Sequence, residues 1–241
     1  MGVQEIVGIV DRSGSMNGKE EDTVGGINSM LEEVKSNKTE NDDIRVSLKL
    51  FDHEEKLLWQ SKPIDEIDKF LKDDFVPRGQ TALLDALGHS LNYFMEKKLL
   101  DHNAYDKCLI YVSTDGLENA SRYYTREKIR KMVETAEEKY GINIIYLGAN
   151  QDAILEAKHL GINYDRAINY SETRDSTEAV YRAVGRAISS QRSEEPVQFT
   201  ATERQRSQPS NPNTYPSSLG VPPPIKRQRQ MQPHFTDTSS I

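Results

Sequence analysis

Residues 6–15 read Ile6-Val7-Gly8-Ile9-Val10-Asp11-Arg12-Ser13-Gly14-Ser15 in this chain of 241 residues. An uninterrupted apolar run ends here in a carboxylate and two hydroxyls that are spaced two residues apart. Such runs are typical of strands buried on both faces, as in parallel sheets covered by helices. In those sheets, ligands bind beyond the carboxyl ends of the strands. The stretch therefore predicts a buried parallel strand that delivers polar side chains to a binding edge.

Two further oxygen-bearing side chains occur downstream in similar contexts. Thr81 follows the turn-forming segment Pro77-Arg78-Gly79-Gln80 and opens a helical pattern. Asp115 follows a second apolar run, Leu109-Ile110-Tyr111-Val112-Ser113-Thr114. Carboxylate and hydroxyl oxygens are hard ligands that suit a magnesium-sized cation better than zinc or copper. We therefore predict one cation site, assembled from three loops by Asp11, Ser13, Ser15, Thr81 and Asp115.

Strand and helix patterns alternate along the chain. Apolar runs and alternating residues predict strands at residues 3–10, 44–51, 56–60, 107–113, 142–147 and 166–169. Apolar residues at helical spacing predict helices at about residues 19–36, 64–71, 83–95, 125–140, 152–160 and 176–189. Together these patterns predict an α/β fold, with a doubly wound, mostly parallel six-stranded sheet and helices on both faces. The one antiparallel edge strand is 56–60, which returns beside 44–51 through a turn at residues 52–55.

The net charge of −7 is unevenly distributed along the chain. Residues 190–241 carry six Lys/Arg against four Asp/Glu, together with eight of the ten prolines. Segments so polar and so rich in proline bury too little apolar surface to fold alone. We therefore predict a folded domain over residues 1–190 and a disordered tail over residues 191–241. The tail is either a solubilising segment or a docking segment built on Val221-Pro222-Pro223-Pro224-Ile225 and the basic patch Lys226-Arg227-Gln228-Arg229.

Composition also argues against several classes of protein. No apolar stretch reaches the ~18–20 residues that a membrane span needs, and the first residues lack the pattern of an export signal. The single cysteine, Cys108, rules out a disulfide within the chain and fits a reducing compartment, so we expect a cytoplasmic protein. The negative charge disfavours nucleic acid as a partner of the folded body, and leaves only weak binding through the basic patch of the tail.

The five candidate ligands resemble the metal-ion-dependent adhesion site of von Willebrand factor A (VWA) domains. That motif is Asp-x-Ser-x-Ser, then a Thr, then an Asp, and it is complete and in order here. The residues around the three parts of the motif, at 11–16, 78–83 and 113–116, resemble those of the family as well. The resemblance covers about residues 3–189 and is greatest for small cytosolic VWA proteins of bacteria and phages. It implies the Rossmann-like VWA fold.

The resemblance also implies how the site binds its cation. Ser13, Ser15 and Thr81 would bind the metal directly, while Asp11 and Asp115 would act mainly through water. The metal would be Mg²⁺, with Mn²⁺ able to substitute. Two carboxylates and three hydroxyls leave a divalent cation nearly neutral overall, so it can still attract an anion. We therefore expect a non-catalytic adaptor that binds the Glu or Asp side chain of a partner protein through the metal.

Two other functions stay open at this point. One is a metal-dependent phosphohydrolase that uses Asp11 as its nucleophile, although Ser13 stands where a second carboxylate is usual and no phosphate-binding Gly-x-x-x-x-Gly-Lys-[Ser/Thr] loop exists. The other is a structural VWA domain whose site is not functional. Three nearby polar residues are interpreted without a role at the metal: Asp52 as part of the hairpin turn, and Glu118 and Asn119 as part of a solvated loop.

Overall fold

A computed structural model describes residues 2–149 and 153–208 of the chain. In that part, the six strands are β1 (Val3–Asp11), β2 (Asp43–Phe51), β3 (Glu55–Pro63), β4 (Lys107–Thr114), β5 (Ile142–Ala149) and β6 (Ala167–Tyr170). The helices are α1 (Glu20–Ser36), α2 (Leu83–Leu100), α3 (Arg126–Tyr140), α4 (Ala153–His159), α5 (Arg174–Arg192) and α6 (Ala201–Arg206).

The strands form a single sheet in the order β3-β2-β1-β4-β5-β6. All neighbouring pairs are parallel except β2 and β3, which form the antiparallel hairpin at one edge. Helices α1 and α5 pack together on one face, while α2, α3 and α4 cover the other. The predicted fold class is therefore confirmed, including the antiparallel edge strand.

The order of the strands reverses next to β1. From β1 the chain passes through α1 to β2 on one side, and the later strands add on the other side, beginning with β4. Because β1 and β4 are parallel and Val10 pairs with Ser113, their carboxyl ends lie side by side. The loops that follow them diverge at this point, so a crevice forms there. Asp11 ends β1 and Asp115 directly follows β4, so both lie at this point.

The predicted short helix at residues 64–71 is wrong. The chain instead makes two isolated 3₁₀ turns, Ile64–Glu66 and Lys72–Asp74, with extended backbone between them. Side chains of α1 satisfy that backbone in place of helical hydrogen bonds. The Asn28 amide donates to the carbonyl of Phe70 (2.9 Å) and accepts from its N–H (2.8 Å). Ile64, Ile67 and Phe70 are buried at a spacing of three because the segment packs along α1, and not because it forms a helix.

The remaining predicted elements are confirmed, with ends that shift by a few residues. For α3 the predicted caps are confirmed as well: the Thr125 hydroxyl accepts from the N–H of Lys128 (3.2 Å), and Gly141 adopts φ = 64°. Thr81 lies two residues before α2 and does not open it. The predicted start of α4, Asp152, lies outside the described residues. Cys108 is a free thiol buried in β4.

The folded body extends beyond residue 190, so the predicted start of the tail is too early. Phe199 is only 6% exposed in the core beneath α1 and α5, and its N–H donates to the carbonyl of Asp165 (2.7 Å). The Ser207 hydroxyl donates to the carbonyl of Asn169 (2.8 Å), so the segment that includes α6 runs along β6. Composition could not predict these contacts, because polar side chains and backbone groups make most of them. The Pro-rich and basic segments predicted for the tail lie outside the described residues.

Among the helices of the described ranges, none has both the length and the hydrophobicity needed to cross a bilayer.

We predict that Phe199→Ala lowers the free energy of unfolding by about 3 kcal/mol, because it deletes a buried aromatic ring and leaves a cavity. Leu100→Ala is the matched control, since Leu100 is 80% exposed, and it should change stability by less than about 0.5 kcal/mol. Urea unfolding followed by circular dichroism measures both. Equal effects of the two substitutions would show that residues 193–208 are not part of the folded body.

Candidate metal centre

Asp11 ends β1 as a fully buried carboxylate. Its Oδ1 accepts a hydrogen bond from the N–H of Ser13 (2.7 Å), and its Oδ2 accepts one from the Thr114 hydroxyl (2.6 Å). Burial raises the Asp11 pKa from an ordinary 3.8 to about 6, although the hydrogen bonds from Thr114 and Ser13 partly oppose that rise. The ionised form of Asp11 is therefore unfavourable without a cation nearby. A bound metal would stabilise that form, as expected for a metal ligand.

The two serines of the first loop connect Asp11 to Asp115. The hydroxyls of Ser13 and Ser15 lie 3.0 Å apart, and Ser15 donates to Oδ1 of Asp115 (2.6 Å). The side chain of Asp115 is 1% exposed. Hydrogen bonds thus connect four of the five predicted ligands at the carboxyl ends of β1 and β4.

Thr81 completes the group next to Gly116. A Cβ atom at Gly116 would lie 3.2 Å from Oγ1 of Thr81, 3.4 Å from Oγ of Ser15 and 3.9 Å from Oδ2 of Asp11. Oxygen atoms from Thr81, Ser15 and Asp11 therefore converge on the space beside the Cα of Gly116. The donors are all carboxylates and hydroxyls, so the residues present fit a hard divalent cation such as Mg²⁺ or Mn²⁺. The structure thus brings all five predicted ligands together.

Asn119 is exposed and Glu118 is half-buried, as predicted for a solvated loop, but both side chains also bind the segment that leads into α2. The Thr81 N–H donates to Oδ1 of Asn119 (2.9 Å), and the Asn119 N–H donates to the carbonyl of Thr81 (3.0 Å). The Glu118 carboxylate accepts from the N–H of Leu84 (3.0 Å), one of the unpaired donors in the first turn of α2. These contacts fix Thr81 to the loop that carries Asp115.

Asp85 completes this connection from the side of the helix. Its carboxylate accepts hydrogen bonds from the N–H groups of Arg122 (2.7 Å), Tyr123 (2.9 Å) and Tyr124 (3.0 Å). Its own N–H donates to the hydroxyl of Ser121 (3.1 Å). The loop from β4 to α3 and the start of α2 therefore satisfy each other's backbone groups. The ligands from these two loops are held in place before any metal binds.

Asp52 lies beside the site and holds another pair of loops together. Its buried Oδ2 lies 3.1 Å from Nε of Arg12 and 3.0 Å from Nε of Arg78. Distances alone would allow Asp52, His53 and Glu54 to hold a metal, because their ligand atoms lie within 4.8 Å of one another. Two guanidinium groups already neutralise Asp52, however, so we assign it to positioning the loops.

Lys19 is a functional neighbour that the sequence analysis missed. Its ammonium donates to Oδ2 of Asp115 and to Oε1 of Glu172, in the loop between β6 and α5. Burial lowers the Lys19 pKa, but these two carboxylates outweigh it and raise the pKa above its ordinary value. The available signal was its position: a lysine at the N-cap of α1 opposes the helix dipole and therefore requires another explanation.

Comparisons with known proteins identify the fold. No family model and no curated protein matches the chain. Among solved structures, the vWF domain of the type V pili tip protein Mfa5 from Porphyromonas gingivalis matches 83% of this chain and 99% of its own, with a TM-score of 0.57 and 13% identity. Proximal thread matrix protein 1 from the mussel byssus matches with a TM-score of 0.57 and 20% identity. A von Willebrand factor type A protein from Catenulispora acidiphila matches with a TM-score of 0.54 and 12% identity.

The matches to the mussel and Catenulispora proteins each include 78% of this chain. They include only 46% of the mussel protein and 43% of the Catenulispora protein, so this chain spans less than half the length of either. At these identities, the likeness establishes the fold and nothing more. The chain has the fold of von Willebrand factor A domains.

We predict that Asp11→Asn stabilises the metal-free protein at pH 7.5, by on the order of 3 kcal/mol for a pKa shift of about two units. The pKa of Asp11 is about 6 in the folded protein and 3.8 at its ordinary value, which applies to the unfolded chain. The contribution of the protonated carboxyl to stability is therefore fully present below about pH 3.8. That contribution is lost as the pH rises through about 6. Urea unfolding in EDTA from pH 4 to pH 8 should therefore show a difference that grows with pH. Asp68→Asn, at an exposed site, is the control; identical pH profiles for wild type and Asp11→Asn would contradict the prediction.

Proposed function

We propose that this chain with a von Willebrand factor A fold is a divalent-metal-dependent protein-binding module, which recognises an acidic residue of a partner through bound Mg²⁺. The observation that carries the proposal is the convergence of oxygen atoms from Asp11, Ser15 and Thr81 on the space beside Gly116. The Ser13 hydroxyl and the Asp115 carboxylate are each hydrogen-bonded to the Ser15 hydroxyl. Mn²⁺ would bind in the same way, since it prefers similar ligands.

Charge explains why this set of ligands suits binding to an anion. The carboxylates of Asp11 and Asp115 balance the two charges of the metal, and the hydroxyls add none. Mg²⁺ prefers octahedral coordination and usually keeps water at some positions. A Glu or Asp side chain of a partner can replace such a water without facing a strongly negative site. A third carboxylate in place of Ser13 would hold the metal more tightly and repel that partner.

The buried state of Asp11 supports binding over phosphohydrolysis. Both of its oxygens accept hydrogen bonds, and the side chain has no exposed surface from which to attack a substrate. Lys19 does supply a cation of the kind that a phosphohydrolase needs, but it pairs with Asp115 and Glu172. Ser13 stands where a second carboxylate would act as acid and base. We therefore propose a module without catalytic activity.

Two of the structural relatives are named as a proximal thread matrix protein of the mussel byssus and as a type V pili tip protein. Their names support a role in protein interaction for this fold. The partner of this chain and the cytoplasmic location expected for it stay predictions.

We predict that Thr81→Ala weakens Mg²⁺ binding at least about tenfold, or about 1.4 kcal/mol, because it removes one oxygen ligand without changing the charge. Thr39→Ala is the matched control, since Thr39 is exposed in the loop between α1 and β2, and it should bind like wild type. Isothermal titration calorimetry measures the affinity. Wild-type protein that binds no Mg²⁺ or Mn²⁺ would refute a functional metal site.

We also predict that wild-type protein retains a partner from lysate of its source organism with Mg²⁺, and loses it with EDTA or with Thr81→Ala. Replacing the contacting Glu or Asp of that partner by Gln or Asn should abolish retention, because the amide carries no charge to attract to the metal. Retention that survives EDTA would place recognition elsewhere on the chain. Hydrolysis of p-nitrophenyl phosphate above the protein-free rate would instead favour the phosphohydrolase.

A further inference from the structure

Lys19 joins three loops at the candidate metal centre. It follows the loop that carries Ser13 and Ser15. Its ammonium contacts Asp115 in the loop between β4 and α3, and Glu172 in the loop between β6 and α5. The Lys19 side chain is 24% exposed, so it is partly withdrawn from water. Lys19 is the one lysine with its ammonium on a candidate ligand, among the described residues.

The fold does not require a lysine at this position. Lys19 is the N-cap of α1, where Ser, Thr, Asp or Asn would satisfy the helix better and where a cation opposes the dipole. The first turn of α1 carries Glu20, Glu21 and Asp22, which already complement the dipole. The benefit that offsets this unfavourable position therefore comes from the contact with Asp115 and Glu172.

The contact with Lys19 reduces the negative charge that Asp115 can offer to a metal. One oxygen of Asp115 accepts from Ser15, and the other accepts from Lys19. A carboxylate whose charge is shared with an ammonium attracts a second cation less strongly. The metal beside it is then neutralised less completely and attracts an incoming anion more strongly.

We infer that Lys19 is a specificity-determining residue that weakens metal binding at this site and strengthens the capture of a partner's carboxylate. The inference rests on the proposed function, and it adds the origin of the preference for an acidic ligand. The charges of Lys19 and Glu172 cancel each other, as those of the metal and the two aspartates do. Without Lys19, an approaching carboxylate meets a net charge of −1 from Glu172. Without the charge of Glu172, it meets a net charge of +1.

The test uses Mn²⁺ alone as the metal probe and acetate as the carboxylate probe, both with the full chain. Calorimetry measures Mn²⁺ affinity, and the electron paramagnetic resonance spectrum of the Mn²⁺-loaded protein reports acetate binding. Lys19→Met should bind Mn²⁺ about tenfold more tightly and acetate about tenfold more weakly than wild type. Glu172→Gln should shift both affinities in the opposite directions. Lys19→Arg keeps the charge and should shift neither in the direction seen for Lys19→Met.

Lys72→Met is the control for a change in net charge, because Lys72 is an exposed lysine that also pairs with α1, through Glu21. It should leave both affinities within about twofold of wild type. If Lys19→Met weakens the binding of Mn²⁺ and acetate together, Lys19 merely holds the loops in place and the inference is overturned. If wild type binds no Mn²⁺, the proposed function fails first and the inference fails with it. If wild type binds Mn²⁺ and the two shifts are absent, only the inference fails.

Discussion

The Thr114 hydroxyl donates a hydrogen bond of 2.6 Å to the Asp11 carboxylate, across the gap where the loops after β1 and β4 diverge. Both groups are fully buried, so the hydrogen bond does not compete with water and fixes the ends of the two strands to each other. The positions of Ser13 and Ser15 follow from this contact, because the N–H of Ser13 binds the other oxygen of Asp11. The metal centre thus begins in the pairing of two central strands.

Two sets of reciprocal contacts extend that order to the other loops. Glu118 binds a backbone N–H in the first turn of α2, and Asn119 binds the N–H of Thr81 just before that helix. Asp85 of α2 binds three N–H groups of the facing loop. On the opposite side, Asp52 pairs with Arg12 and Arg78, one from each of two loops. A site organised in this way needs little rearrangement to bind, and so loses little conformational entropy on binding. The polar residues around the candidate ligands therefore fix the loops that carry them.

The balance of charge at the centre is consistent with a role in recognition. Neutral hydroxyls supply most of the donors, and the raised pKa of Asp11 shows how unfavourable its ionised form is without a cation nearby. Lys19 brings a positive charge to the same edge and shares the charge of Asp115. In the proposed function, the neutral hydroxyls and Lys19 reduce the attraction for the metal and leave more of its charge for an external ligand, whereas the buried Asp11 carboxylate favours a bound cation. Tight metal binding and tight anion binding compete at such a site, and the proposed function requires that anion binding is favoured.

The sequence by itself determined the strands, most of the helices and all five candidate ligands. Apolar runs and helical spacing are local properties, and each ligand follows directly from an element boundary that those patterns mark. Only the tertiary structure decided which polar residues serve the site. Thr114, Lys19, Glu172 and Asn119 are unremarkable in their local contexts, and they acquire their roles from partners 38 to 153 residues away. The extended segment at 64–71 and the burial of Phe199 escaped prediction for the same physical reason. Backbone groups and aromatic rings can be satisfied by distant side chains, and no local pattern reports which of them are.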